Sequence, residues 1–327
     1  MTQPVIAVVG PTAAGKSGLG IELARAVGGE IVNADSMQLY AGMNIGTAKL
    51  TCEQRGGVRH HLLDVWDVRK TANVAEYQQL ARAAIDDIAA RGRVPILVGG
   101  SGLYLRAALD DLNFPGTDPA LRRALEDELD RAGPGPMHER LARLDPAAAA
   151  AILPSNGRRI VRALEVIELS GQSFNAALPG YEAVYPSVQV GLRVDRAELD
   201  RRIAARVDAM WRAGFVTEVS ALERRGLREG RTSSRALGYA QVLRFLAGEW
   251  TEEQARLETT RATRRFARRQ ESWFRRDPRI RWLETADGPA AGRLDPAMAT
   301  IGACGLPRAT APRTTSSSCP TRTVPST

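Results

Sequence analysis

The sequence has little that would cross-link it or anchor it in a membrane. Its three cysteines, Cys52, Cys304 and Cys319, are odd in number and form no C-x-x-C pair. Neither a disulfide framework nor a zinc ribbon is therefore expected, and a reducing, cytoplasmic setting is. No apolar run approaches the roughly 18 to 20 residues of a membrane helix. Met1 leads almost directly into the apolar stretch Val5 to Val9 and a glycine, which reads as a first strand rather than a signal peptide. No internal repeat of about 20 to 50 residues is visible, which removes solenoids and propellers. An acidic excess is also missing: 45 Lys and Arg stand against 37 Asp and Glu, a net charge of +8. That balance suits a polyanionic partner, although many arginine-rich chains simply carry a solvated basic surface.

What is present describes an α/β chain. With 327 residues and 44% hydrophobic content, it is long enough for one large core and an added smaller domain. Over the first hundred residues, short apolar runs alternate with helix-period segments, the pattern of a parallel sheet with crossover helices. Strands are expected at Val5 to Val9, Glu30 to Ala34, His61 to Val65 and Pro95 to Val98, with helices over Gly15 to Ala26 and Val74 to Ala90. Residues 117–186 read as a helical insertion, so the core is discontinuous, with parts at 1–116 and 187–287. Strand character resumes at Val188 to Val194, and Leu199 to Arg224 reads as one long amphipathic helix. Residues 288–327, rich in Pro, Thr, Ser, Gly and Ala, are expected to be disordered.

The strongest chemical signal is Gly10-Pro11-Thr12-Ala13-Ala14-Gly15-Lys16-Ser17, a G-x-x-x-x-G-K-[ST] loop between a strand and a helix. Its N–H groups and the helix N-terminus attract phosphate, Lys16 adds a cation, and the Ser17 hydroxyl can ligate Mg²⁺. Such a loop reads a diphosphate and little of what is attached, so ATP is only the default ligand. After the Pro95 to Val98 strand, where a Walker-type NTPase often places an acid, this chain has Gly99-Gly100-Ser101-Gly102. Asp195 is either a substitute for that acid or a helix cap. Asp35-Ser36-Met37-Gln38 follows the second strand at its carboxyl end, where ligands gather in parallel sheets. There Asp35 either takes a proton from an attacking amine or hydroxyl, or merely ends the strand, and Gln38 can read a base edge. Adjacent His60 and His61 point to opposite faces of a strand and read as structural rather than as metal ligands. The segment Arg261 to Arg281 carries nine arginines interleaved with Phe266, Trp273 and Phe274. Its arginines read as a nucleic-acid backbone surface and its aromatics as core.

Beyond the loop, several segments resemble the tRNA dimethylallyltransferases in order and approximate spacing. They are Asp35 to Tyr40, Asn44 to Lys49, His60 to Asp64, Gly99 to Tyr104, Arg162 to Val166 and Thr263 to Gln270. The resemblance covers roughly Val5 to Leu283. It implies a P-loop NTPase-like parallel sheet flanked by helices, with a helical insertion domain that binds tRNA. It also implies transfer of a dimethylallyl group from dimethylallyl diphosphate to N6 of the adenosine immediately 3′ of the anticodon, with Mg²⁺ as cofactor. Gly10 to Ser17 and Arg235 would hold the diphosphate, and Asp35 and Ser101 would be catalytic. Asp35, Ser36, Met37, Gln38, Ser101, Arg122, Arg158, Arg159 and Arg162 would touch tRNA. Ser101 stands where the family usually has Thr, and Ala240 follows Tyr239 where a basic residue is common. A monomer is the default. The rival readings are an ATP-dependent small-molecule kinase and a nucleic-acid-dependent ATPase using the same loop.

Overall fold

The computed structural model describes residues 3–174, 179–284 and 293–303. In chain order the elements are β1 (Val5–Val9), α1 (Lys16–Val27), β2 (Glu30–Asn33), α2 (Cys52–Arg55), β3 (His60–His61), α3 (Val74–Ala90), β4 (Pro95–Val98) and α4 (Gly102–Leu109). Then come α5 (Pro119–Ala132), α6 (Pro134–Leu144), α7 (Pro146–Ala151), α8 (Gly157–Ser170), β5 (Ser187–Arg193), α9 (Arg196–Arg212) and α10 (Phe215–Glu223). After two short 3₁₀ turns, α11 (Tyr239–Leu246), α12 (Glu252–Phe274), β6 (Ile280–Glu284) and α13 (Leu294–Gly302) complete the set.

The six strands form one sheet in the order β3-β2-β4-β1-β5-β6, and every neighbouring pair is parallel. The sheet-and-helix class expected from the sequence is the one observed. β1, β2 and β4 are buried throughout, as a parallel sheet covered on both faces requires. Their side chains meet those of α1, α9 and α13 in one core around Ile6, Val8, Leu19, Ile96, Leu192 and Ile203.

Two compact units divide the chain: Met1–Asp110 with the described residues from Ala183 onward, and Asp111–Glu182. Asp110 and Ala183 form an antiparallel bridge where the chain leaves and re-enters the first unit. The second unit is a helical cluster, α5 to α8, around Leu125, Leu141, Ile160 and Leu164. Proline at the first turn of α5, α6 and α7 and the capping side chains of Asp118, Asp145 and Asn156 mark its helix starts.

Three expectations need correction. The long helix over Leu199 to Arg224 is two helices, because Gly214 takes φ 90° and breaks the ladder between α9 and α10. The strand expected at His61 to Val65 shrinks to His60–His61, since Leu62 and Asp64 adopt left-handed φ values of 62° and 58° and turn the chain out of the sheet. The presumed disordered tail contains α13, whose Ala297, Met298 and Ile301 are buried in the core. The final run Thr314 to Thr327 lies outside the described residues.

Candidate active site

β1 ends at the phosphate loop, and the loop is held open by contacts from distant segments. The Thr12 N–H donates to Gln270 Oε1 at 2.9 Å, and Gln270 Nε2 donates to the Gly100 carbonyl at 2.9 Å. One buried side chain of α12 thus ties the loop to the turn after β4. Lys16 Nζ donates to the Pro11 carbonyl at 2.7 Å. Burial pushes the Lys16 ammonium down to about 8, with Asp35 pulling the other way and Arg206 adding to the fall. At that value the amine still carries its charge at neutral pH, and a phosphate beside it favours the charged form further.

Arg206 was not foreseen. It projects from α9 toward the loop, with Nη1 donating to Thr12 Oγ1 at 3.4 Å. Burial lowers its proton affinity while Asp35 opposes the change. The signal was present in the sequence: Ile203, Arg206, Val207 and Met210 share one helical face, so an arginine stands among apolar residues.

Asp35 lies just beyond β2. Asn33 shapes this turn, its Oδ1 accepting the Asp35 N–H at 2.9 Å and its amide donating to the carbonyls of Asp35 and Leu62. Asp35 Oδ1 accepts the Met37 N–H at 2.9 Å. Ser101 precedes α4 in the N-cap position, yet its side chain caps nothing. It accepts the Ser36 N–H at 3.2 Å and donates to the Ser36 hydroxyl at 3.3 Å, which places the Ser101 hydroxyl on the same rim as Asp35. The chain crosses closely here, because a Cβ on Gly99 would come within 2.1 Å of the Ala34 carbonyl oxygen.

Two cavities meet at this rim. The first, of about 620 Å³, is lined by the loop residues Thr12, Ala13, Gly15, Lys16 and Ser17 and by Asp35, Gln38, His60 and Gln270. The second, of about 330 Å³, is lined by Ser36, Met37, Ser101, Arg235 and Arg269, with Ile203, Val207 and Leu237 as an apolar wall. Thr12, Asp35, Arg206, Met210 and Phe266 line both. The site residues from the sequence therefore separate: Lys16, Ser17 and Gln38 face the first cavity, Ser36, Met37, Ser101 and Arg235 the second, and Asp35 both. Gln38 donates its amide to the Thr47 carbonyl at 3.0 Å, so part of its hydrogen-bonding edge is already occupied. Glu218 of α10 shapes the neighbouring loop, accepting the N–H groups of Asn44, Ile45 and Gly46 and the Tyr239 hydroxyl.

Elsewhere the expected roles divide. Asp195 caps α9, accepting the N–H groups of Ala197 and Glu198. His61 bonds Glu30 at 2.7 Å and His60 the Val58 carbonyl at 2.9 Å, and among the described residues no cluster of His, Cys, Asp or Glu could hold a metal by itself. In the insertion, Arg158 and Arg159 are exposed. Arg122 and Arg162 are instead paired with Glu165, whose side chain is fully buried, and Arg162 also donates to the carbonyls of Pro115 and Gly116. On α12 and just after it, Arg265, Arg268, Arg269, Arg275 and Arg276 are exposed. Phe274 is core, but Trp273 is 37% exposed and Phe266 lines the cavities, against the reading of all three as core.

A strand, a glycine-rich lysine loop and a helix at the carboxyl edge of a parallel sheet define a P-loop phosphate-binding protein, here with a second cavity beside the loop. Comparison with known proteins narrows the class. The tRNA dimethylallyltransferase of Streptomyces coelicolor is 70% identical over 279 residues, covering 85% of this chain and 89% of that protein. That of Thermobifida fusca is 69% identical over 284 residues, covering 85% and 89%. Among solved structures, the full-length tRNA isopentenylpyrophosphate transferase from Bacillus halodurans matches with a TM-score of 0.70 and 38% identity, over 92% of this chain and 96% of that one. A eukaryotic dimethylallyltransferase acting on tRNA matches with a TM-score of 0.79 and 26% identity, over 94% and 81%. The model of the IPP transferase family matches residues 38–277, and the chain belongs to that family. The resemblance read from the motifs is borne out.

Proposed function

We propose that this enzyme transfers a dimethylallyl group from dimethylallyl diphosphate to N6 of the adenosine immediately 3′ of the anticodon in tRNA, releasing diphosphate. The observation that carries the reading is the place of Asp35, at the junction of the phosphate-loop cavity and the second cavity. A group-transfer enzyme needs such a junction, because donor and acceptor must meet in one geometry. A kinase or a nucleic-acid-dependent ATPase would use the loop but not the Asp35 and Ser101 rim, and the family favours neither.

In this reading the donor diphosphate lies in the loop and the adenine leaves its stack to enter the second cavity. The N6 nitrogen attacks C1 of the dimethylallyl group, the C1–O bond breaks, and its electron pair leaves with the diphosphate. Asp35 takes the N6 proton, and the Ser101 hydroxyl, unspent on capping, orients the amine. Lys16, the loop N–H groups and Arg206 stabilise the charge growing on the leaving group, with Arg235 reaching it from the second cavity. Ser17 and Asp35 line the same cavity, and no all-protein cage exists among the described residues. This donor set fits a Mg²⁺ ion that draws most of its ligands from diphosphate and water. Such an ion, held by Ser17, would neutralise diphosphate charge.

The exposed Arg158 and Arg159 and, separately, the arginines of α12 suit the tRNA backbone, while Arg122 and Arg162 brace the insertion through Glu165. We take the enzyme to act as a cytoplasmic monomer, where its tRNA substrate is found; among the described residues no helix is long and apolar enough to cross a membrane.

The test is incubation with radiolabelled dimethylallyl diphosphate, Mg²⁺ and unmodified tRNA, beside Asp35→Ala. Label on N6 of the adenosine 3′ of the anticodon is expected, reduced by about 10² to 10⁴ in rate in the variant. Absence of label together with phosphate release from ATP would sink the reading.

A further inference from the structure

The phosphate loop is held from a second side by a residue beyond the family match, which ends at residue 277. Arg293 stands immediately before α13 and is 9% exposed. Its Nη1 donates to the Ala14 carbonyl at 3.1 Å, and a Cβ placed on Gly15 would come within 2.1 Å of the same nitrogen. The guanidinium therefore lies against the peptide that joins Ala14 to Gly15. Its position is secured by α13, whose Ala297, Met298 and Ile301 share a core with Ala13, Ala14 and Leu19. Glu22, in the second turn of α1, attracts the guanidinium while Arg202 repels it, and Glu22 Oε2 is buried with no hydrogen-bond partner of its own.

In a trans peptide the carbonyl and the next N–H point in opposite directions. With the Ala14 oxygen held by Arg293, the Gly15 N–H points away from Arg293, and Gly15 lines the phosphate-loop cavity. Gly15 has φ 96°, where glycine has no steric preference to keep that plane from rotating. If the plane turned over, the cradle would exchange a donor for a carbonyl oxygen facing phosphate.

We propose that Arg293 is a positioning residue for the phosphate loop: from the C-terminal segment it fixes the Ala14–Gly15 peptide so that the Gly15 N–H faces the donor's diphosphate. This rests on the reading of the loop as a diphosphate site.

The test uses the full chain and inorganic diphosphate, titrated calorimetrically, with the KM of dimethylallyl diphosphate measured beside it. Arg293→Met keeps the length of the side chain and removes the donor. It is expected to weaken diphosphate binding about tenfold and to raise KM more than it lowers kcat. Arg293→Lys, which keeps a charged donor, is expected to recover most of that loss, a rescue that a purely structural role does not predict. Should the Met variant fail to fold, Arg293→Gln and Arg293→Ala are compared instead, the amide donor being expected to bind more tightly than alanine. Equal diphosphate affinity of folded variants and wild type overturns the proposal. Failure of the wild type to bind diphosphate overturns the diphosphate reading as well.

Discussion

Replacing Gln270 by Leu tests whether the phosphate loop is braced by the hydrogen bonds seen here. The side chain is 6% exposed, accepts from Thr12 N–H at 2.9 Å and donates to the Gly100 carbonyl at 2.9 Å. Leucine fills similar space but leaves a part-buried donor and a buried acceptor unpaired, each costing about 1 to 3 kcal/mol. Local relaxation and water recover part of this, so a loss of about 3 kcal/mol is expected. At about 2 °C per kcal/mol for a chain of this size, the Tm falls by roughly 6 °C. Gln270→Glu separates the two halves of the brace. Its carboxylate still accepts from Thr12 but turns an oxygen on the Gly100 carbonyl and adds negative charge to the cavity that Gln270 lines. Glu is therefore expected to harm diphosphate affinity more than Leu does. Thermal unfolding and calorimetric titration with inorganic diphosphate read the two effects. A leucine variant with unchanged melting and unchanged affinity would refute the brace.

Two further outcomes follow from groups with displaced protonation. Burial lowers Lys16 to about 8, so its charge is present below that pH and lost above it. Diphosphate affinity is accordingly expected to fall as pH rises from about 8 to about 9 relative to Lys16→Arg, whose charge persists through that range, and parallel affinity profiles would contradict it. In the insertion, burial pushes the Glu165 carboxyl up, but hydrogen bonds from Arg122, Thr117 and Arg162 win and hold it below its ordinary value. A depressed carboxyl contributes stability above its unfolded pKa and loses it as pH falls through the folded one, so the insertion should weaken as pH drops below about 4. Glu165→Gln leaves two arginines without their carboxylate and is expected to cost about 3 kcal/mol, read as faster amide exchange across residues 111–182.

Much of this molecule was legible in its residues, for identifiable reasons. β1, β4 and α3 fall where expected because short apolar runs and a single apolar stripe end abruptly at polar residues, Asn73 among them as the α3 cap. The phosphate loop was legible because its chemistry is written in eight consecutive positions. The break at Gly214 was not, since the apolar period of α9 continues into α10 across it. α13 was hidden by a tail-like composition, its buried side chains being only Ala297, Met298 and Ile301. The braces on the loop come from Gln270 and Arg293, more than 250 residues away in sequence, a separation local pattern does not bridge. Arg122 and Arg162 were read by resemblance as tRNA contacts, although the i,i+3 spacing of Arg162 and Glu165 already offered an internal pair.

The strand order also sets the timetable by which a nascent chain becomes an enzyme. β1 leaves the ribosome first, yet its neighbours are β4 and β5, and the side chain that ties down Thr12 is not made until residue 270. The unit Asp111–Glu182 has its whole core inside its own segment and can close while more than half of its host is still unmade. A chain stopped near residue 230 would therefore carry a finished helical insertion beside a phosphate loop with neither brace. Both braces on the loop arrive only with the last part of translation.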